Sequence, residues 1–221
     1  MIEQILPGGV ATAEAFVDPP GLVPHPPSEE ALIGRAVEKR RREFVTTRHL
    51  ARQAMGKLGV PSAAVMRGER GAPLWPQGVV GSLAHCDGYR GAVLAYSMQV
   101  RSLGIDAEPH GPLPDGGVLP AVSIEAERTW LDTQETGGPV HWDRVLFCAK
   151  EATYKAWFPL TGRWLGFEDA TSRSRRSRKR PALSTRVCWS PGEATSGPPL
   201  TSFDGRWLVS DGLILTAISV Q

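Results

Sequence analysis

An α+β fold is predicted by three features of the 221-residue chain. Two long stretches carry helical period, short runs with strand character lie between and after them, and glycine or proline marks their ends. The clearest helix runs through Phe147-Cys148-Ala149-Lys150-Glu151-Ala152-Thr153-Tyr154-Lys155-Ala156. Trp142, Val145, Ala149, Ala152 and Ala156 recur at three- and four-residue spacing and form the stripe that seats on a core. Glu151 and Lys155, four apart, share a second face with Phe147 one turn before them, and that face is left free. Upstream, Ser102-Leu103-Gly104-Ile105-Asp106-Ala107-Glu108-Pro109 reads as a strand. Its alternation places Asp106 and Glu108 on one side and Ile105 and Ala107 on the other.

The remaining elements follow in chain order. The first 27 residues end in the proline-rich run 18–27, an irregular lead-in that is neither helix nor central strand. Ser28 reads as an N-cap, with Glu29 and Glu30 favourably placed at the positive end of the helix dipole. Helical pattern continues to Leu58 with a break near Thr46-Thr47, and Gly59 with Pro61 ends it. Phe44, Ala51, Met55 and Leu58 form its buried stripe. Arg67 to Pro73 is a glycine-punctuated turn, and Gly78 to Cys86 is a strand running into a loop. Arg90 to Tyr96 reads as a buried strand that pairs with Val100 to Asp106 across a short turn. His110 to Pro120 is a surface loop, and Ser123, Glu125 and Glu127 open a short helix. Pro159 stops the central helix, leaving Ala156 to Phe167 aromatic and irregular. The tail, from Arg186 to Trp189 and from Gly205 to Ile218, reads as strands with Asp211-Gly212 as a hairpin turn.

Composition narrows the class. Hydrophobic residues make up 41% and charged residues 22%, ordinary for a soluble globular chain. The net charge of +2 hides a cluster: residues 173–180 hold six cations (Arg173, Arg175, Arg176, Arg178, Lys179, Arg180), and without them 19 cations face 23 acids. Three cysteines with no Cys-x-x-Cys pair argue against a disulfide framework and for a reducing cytoplasm. No apolar run is long enough to span a bilayer, so a cytoplasmic, unanchored protein is expected. A nucleic-acid binder would have to rest on the two basic stretches. No known nucleic-acid module accompanies them, and the rest of the chain is net acidic.

Asp106, Glu108 and Glu151 together suggest a hard cation. Magnesium, with manganese as a substitute, takes few carboxylates and shares its shell with water and a substrate phosphate. Taken singly, Asp-x-Glu is also an ordinary solvated strand face, and Glu151 with Lys155 an ordinary helix pair. The cations Lys39, Arg40, Arg41, Arg42, Arg48 and Arg52 are open in the same way, between a solvated helix and a phosphate site that exploits bidentate arginine.

Gly104 to Glu108 and Phe147 to Ala156 resemble the paired signatures of the 4'-phosphopantetheinyl transferases. The resemblance is to the long form typified by the surfactin- and enterobactin-synthetase activators, nearest to the actinobacterial and mycobacterial members, and it runs from about Pro19 to the C-terminus. It implies two similar, pseudo-twofold-related α+β halves, 1–103 and 104–221, each a helix on a small antiparallel sheet, with the active site in the cleft between them. The first half would bind the coenzyme A nucleotide, and the second would carry the magnesium site and the catalytic helix. By the same resemblance Arg40 and Arg48 hold the 3'-phosphate and diphosphate, Arg67 and Arg70 line the nucleotide pocket, and His85 contacts phosphate. Ala84 contributes a backbone contact only, because it lacks the hydroxyl that the family has there, and Leu165 touches coenzyme A. Asp106, Glu108 and Glu151 bind the metal. Glu151 accepts the serine proton, and Lys155 with Lys150 stabilises phosphate charge.

The implied reaction moves 4'-phosphopantetheine from coenzyme A to a serine of an apo acyl or peptidyl carrier protein and releases 3',5'-ADP. The carriers would belong to polyketide, nonribosomal-peptide, siderophore or fatty-acid synthesis, and a monomer is expected. A magnesium-dependent phosphohydrolase using the same carboxylates with water as nucleophile is the rival reading. The basic run at 173–180 departs from the family and reads either as a solvated loop or as a device that steers an acidic carrier.

Overall fold

The computed structural model describes residues 1–25, 28–134, 138–175, 182–187, 200 and 202–221, with the backbone alone at 175 and 182–187. A 3-10 turn, Ile2–Ile5, precedes β1 (Ala11–Ala15), α1 (Ser28–Ala31) and α2 (Glu38–Leu58). There follow β2 (Met66–Arg67), β3 (Pro73–Leu74), β4 (Val79–Cys86), β5 (Tyr89–Tyr96) and β6 (Ser102–Pro109). Then come α3 (Val118–Val122), α4 (Glu125–Asp132), α5 (Trp142–Thr161), β7 (Ala170–Arg175), β8 (Ala182–Val187), β9 (Ser202–Ser210) and β10 (Leu213–Val220). One antiparallel sheet has the order β1-β5-β4, another β6-β10-β9-β8-β7, and β2 pairs with β3 alone. The α+β class is as expected.

Each large sheet is covered by one long helix. Leu50, Ala51, Ala54 and Met55 of α2 pack with Ala11, Ala13, Ala92 and Leu94 of the smaller sheet. Val145, Ala149, Ala152, Ala156 and Trp157 of α5 pack with Phe203, Trp207, Ile214 and Ile218 of the larger one. A third cluster joins the sheets, drawing Tyr89 and Val93 from β5, Leu103, Ile105 and Ala107 from β6, and Leu213 and Leu215 from β10. A fully buried isoleucine such as Ile105 or Ile214 contributes about 1.5 to 3 kcal/mol by leaving water. The sheets meet along β4 and β6, where the Ile105 amide donates to Ser82 Oγ at 3.0 Å. A boundary drawn at residue 103 falls inside β6.

Several expectations change. The lead-in contains a strand: β1 pairs with β5, Ala13 opposite Ala92. The first helical stretch breaks between Ala31 and Glu38 and not at Thr46-Thr47. Thr47 is tolerated because its hydroxyl donates back to the Glu43 and Phe44 carbonyls at 2.9 and 3.0 Å. Glu29 does more than complement a dipole. Fully buried, it accepts from Arg52 at 2.8 and 3.0 Å and from the His25 and Val65 amides, both at 2.9 Å, which fixes α1 against α2.

β5 does not form a hairpin with β6. It lies between β1 and β4, and β6 pairs with β10, Asp106 opposite Thr216. A helical turn, α3, begins inside the expected 110–120 loop. α5 passes Pro159 and ends only at Gly162, which adopts a left-handed φ of 64°. The proline forfeits one i→i−4 bond in a last turn already close to its end. Asp211 (φ 51°) and Gly212 (φ 74°) form the turn between β9 and β10, as expected. The side chain of Arg175 and the basic residues Arg176, Arg178, Lys179 and Arg180 lie outside the described residues, as do Cys188 and Trp189.

Candidate active site

The site is built where α5 crosses β6. Strand alternation buries Ile105 and Ala107 in the core and turns Asp106 and Glu108 to the opposite face. Gly104 sets the distance to the helix: a Cβ there would stand 1.9 Å from the Ala152 carbonyl oxygen and 2.8 Å from the Ala156 nitrogen. No residue with a side chain fits without moving one element off the other. This close approach lays the Glu151–Lys155 face of α5 over the acids of β6.

Lys155 Nζ donates to Asp106 Oδ1 at 2.7 Å, to the Ile105 carbonyl at 3.0 Å and to the Leu83 carbonyl at 3.3 Å, so one ammonium ties α5 to both sheets. Burial works against its charge, but Asp106 beside it, together with Glu151, more than offsets burial and raises the pKa above the ordinary lysine value. Asp106 Oδ2 is buried and has no hydrogen-bond partner among the described residues. Glu108 Oε2 accepts from Arg144 Nη1 at 2.8 Å. Burial, reinforced by Asp106, raises the pKa of both Glu108 and Glu151, opposed by Arg144 at the former and by Lys155 at the latter. Glu108 and Glu151 thus favour their protonated forms mainly because they are buried, and a divalent cation among these acids would favour the charged forms instead.

Among the described residues no three His, Cys, Asp or Glu side chains are already gathered as a metal cage. The residues nonetheless fit magnesium: the donors are hard oxygens, and the buried, unbonded Asp106 oxygen is one that a cation would satisfy.

On the neighbouring side α2 presents cations. Arg48 is buried with its guanidinium 3.6 Å above the Phe44 ring, its Nε lacks a hydrogen-bond partner among the described residues, and Arg67 reaches the same ring at 5.8 Å. Burial, with Arg67, Arg40 and Arg52 as repelling neighbours, lowers the Arg48 pKa to about 10 in spite of Glu29. Such mutual repulsion is what a bound anion would relieve. Arg40 Nη1 donates to His85 Nε2 at 2.5 Å, and the buried Glu43 stands 3.5 Å from both Arg40 Nη1 and His85 Nδ1. Arg70, at a left-handed φ of 49°, holds its guanidinium 5.3 Å from the Trp164 ring, which packs at a tilt of 59° against Tyr154 with ring centroids 5.0 Å apart.

Lys150 is engaged away from the expected phosphate contact, while Ala84 keeps the backbone-only role expected of it. Lys150 is buried in an ion pair with Glu127 at 2.7 Å and donates to the Phe167 carbonyl at 2.5 Å, so its ammonium serves the packing of α5 against α4. Leu165 is buried in the core beneath α5, and Ala84 turns its methyl into the core between the sheets, which leaves each only its backbone for a ligand. Sequence reasoning missed Arg144 and Glu43. Arg144 stands seven residues before Glu151, two turns along the same face, and that spacing was the available signal.

Carboxylates on one side and arginines on the other are the groups that enzymes acting on phosphorylated or diphosphate substrates use. Comparison with known proteins supplies the family. The model for the 4'-phosphopantetheinyl transferase N-terminal domain matches residues 28–95, and that for the 4'-phosphopantetheinyl transferase superfamily matches residues 102–198. The 4'-phosphopantetheinyl transferase Npt of Nocardia iowensis is 56% identical over 226 residues, covering 99% of each chain. The transferase PptT of Mycobacterium tuberculosis is 54% identical over 99% of this chain and 97% of its own, and Svp of Streptomyces mobaraensis is 47% identical over 100% and 89%. The chain belongs to the 4'-phosphopantetheinyl transferase family and is an enzyme of that class. No helix among the described residues is long and apolar enough to cross a membrane.

Proposed function

We propose that the enzyme transfers 4'-phosphopantetheine from coenzyme A to a serine of apo acyl or peptidyl carrier proteins, with magnesium and in the cytoplasm. Coenzyme A would lie between two α+β halves that meet near residue 103. The observation that carries this reading is the pairing of Asp106 with Lys155 at 2.7 Å, which leaves the second carboxylate oxygen buried and without a hydrogen-bond partner among the described residues, with the arginine cluster of α2 on the neighbouring side.

Asp106, Glu108 and Glu151 would hold the cation, which when bound neutralises diphosphate charge and steadies the leaving group. Arg48 and Arg40 bind the phosphates, with Arg67 and Arg70 along the nucleotide, and His85 joins Arg40. Glu151 accepts the proton of the carrier serine as its oxygen attacks the β-phosphorus. Its raised pKa brings it nearer the working pH of a general base. The bond from that phosphorus to the bridging oxygen breaks, and 3',5'-ADP leaves. Lys155 balances charge on the phosphates from a position fixed by two carbonyls. The likeness to Npt, PptT and Svp along nearly the whole chain supports the same assignment.

Mass spectrometry of a panel of apo-carriers incubated with coenzyme A and magnesium tests it. The expected result is a gain of one phosphopantetheine unit on particular carriers, matched by 3',5'-ADP and abolished by chelator. Coenzyme A cleaved at the same rate with no carrier present would replace the transferase reading by a hydrolytic one.

A further inference from the structure

Arg144, Glu151 and Lys155 follow at seven- and four-residue spacing on α5, one face of the helix. Both outer members reach an acid of β6. Lys155 holds Asp106 Oδ1 at 2.7 Å, and Arg144 Nη1 holds Glu108 Oε2 at 2.8 Å. Arg144 also donates through Nε to the Gly111 carbonyl at 3.3 Å and through Nη2 to the Pro112 carbonyl. Next to it, Asp143 Oδ2 accepts from the Leu113 amide at 2.7 Å. The start of α5 is thus fastened to the end of β6 and the loop beyond it. At 16% and 20% side-chain exposure, the Arg144–Glu108 pair is better shielded than the exposed ion pairs that contribute little. A guanidinium fork also fixes direction, which a lysine point charge does not.

We propose that Arg144 is a positioning residue for the transfer reaction. It orients the Glu108 carboxylate and leaves Oε1 for the divalent cation, as Lys155 leaves Oδ2 of Asp106. The inference rests on the proposed cation site at Asp106, Glu108 and Glu151. Partners that orient a metal ligand weaken metal affinity about 10- to 100-fold when removed. Losing the fork therefore outweighs the attraction gained by deleting a screened positive charge.

The test is the binding of Mn2+ to the full chain at fixed coenzyme A, read from the electron paramagnetic resonance signal of free Mn2+ against a protein-free control. The proteins are wild type, Arg144→Gln, Glu108→Gln, the double variant and Asp106→Asn. Arg144→Gln is expected to weaken Mn2+ binding by about 10-fold, and the double variant to bind no more weakly than Glu108→Gln alone. Undiminished binding by Arg144→Gln overturns the inference. So does an equal further loss in the Glu108→Gln background, which would mean that Arg144 does not act through Glu108. If Arg144→Gln does not unfold cooperatively, Arg144→Lys takes its place, keeping the charge while losing the fork. Mn2+ binding unaffected by Asp106→Asn would instead refute the cation site itself.

Discussion

His85 is neutral for reasons that its neighbours make plain. Burial, followed by the Arg40 charge, lowers its pKa from 6.5 to about 4, against the pull of Glu43. Arginine can only donate, so His85 Nε2 accepts from Arg40 and the ring proton sits on Nδ1, facing Glu43 Oε2 at 3.5 Å. Below its ordinary pKa the unfolded chain takes up a proton that the folded ring refuses. Stability from this site is therefore complete above pH 6.5 and is lost as pH falls toward 4. Nitrogen-15 shifts of His85 should report a neutral, Nδ1-protonated ring at pH 6; a ring half protonated near pH 6.5 would contradict the assignment. His85 itself stood out in the sequence through the family resemblance. Glu43 did not, because an acid three residues after an arginine reads as a surface pair until β4 and Arg90 close over it.

α5 and β6 were legible because each carries its own period. The apolar recurrence from Val145 to Ala156 and the alternation from Ile105 to Glu108 are local, and the structure seats both as written. Pairing was less legible. A short turn after Tyr96 suggests a β5–β6 hairpin, yet β6 takes β10 as its partner, and no local pattern marks a contact more than 100 residues away. β1 was hidden by the proline-rich run that follows it. Gly104 is the residue on which the meeting of α5 and β6 depends. Gly104→Ala should cost about 1 to 3 kcal/mol, as overpacking does, and should reduce transfer, since the added methyl pushes Ala152 and Ala156 away from β6. Urea unfolding together with transfer rate measures both; unchanged stability would show that helix and strand are less tightly apposed than 1.9 Å implies.

The molecule as a whole brings two kinds of charge to one place. The smaller sheet carries the cations of α2 with His85 of β4, and the larger sheet carries the acids of β6 under α5. The contact of β4 with β6 sets the two sides beside each other, with the Lys155 ammonium bonded to backbone carbonyls of both strands. Diphosphate chemistry needs both: donors for the phosphates, and oxygens for the ion that neutralises them. The most direct measurement is single-turnover transfer to an apo-carrier, followed by mass spectrometry, for wild type and Asp106→Asn at saturating coenzyme A and magnesium. Asp106→Asn should retain the wild-type fold by circular dichroism and lose at least about 100-fold in rate, as removal of a major electrostatic contact does. A folded Asp106→Asn enzyme that modifies the carrier at the wild-type rate would contradict the account.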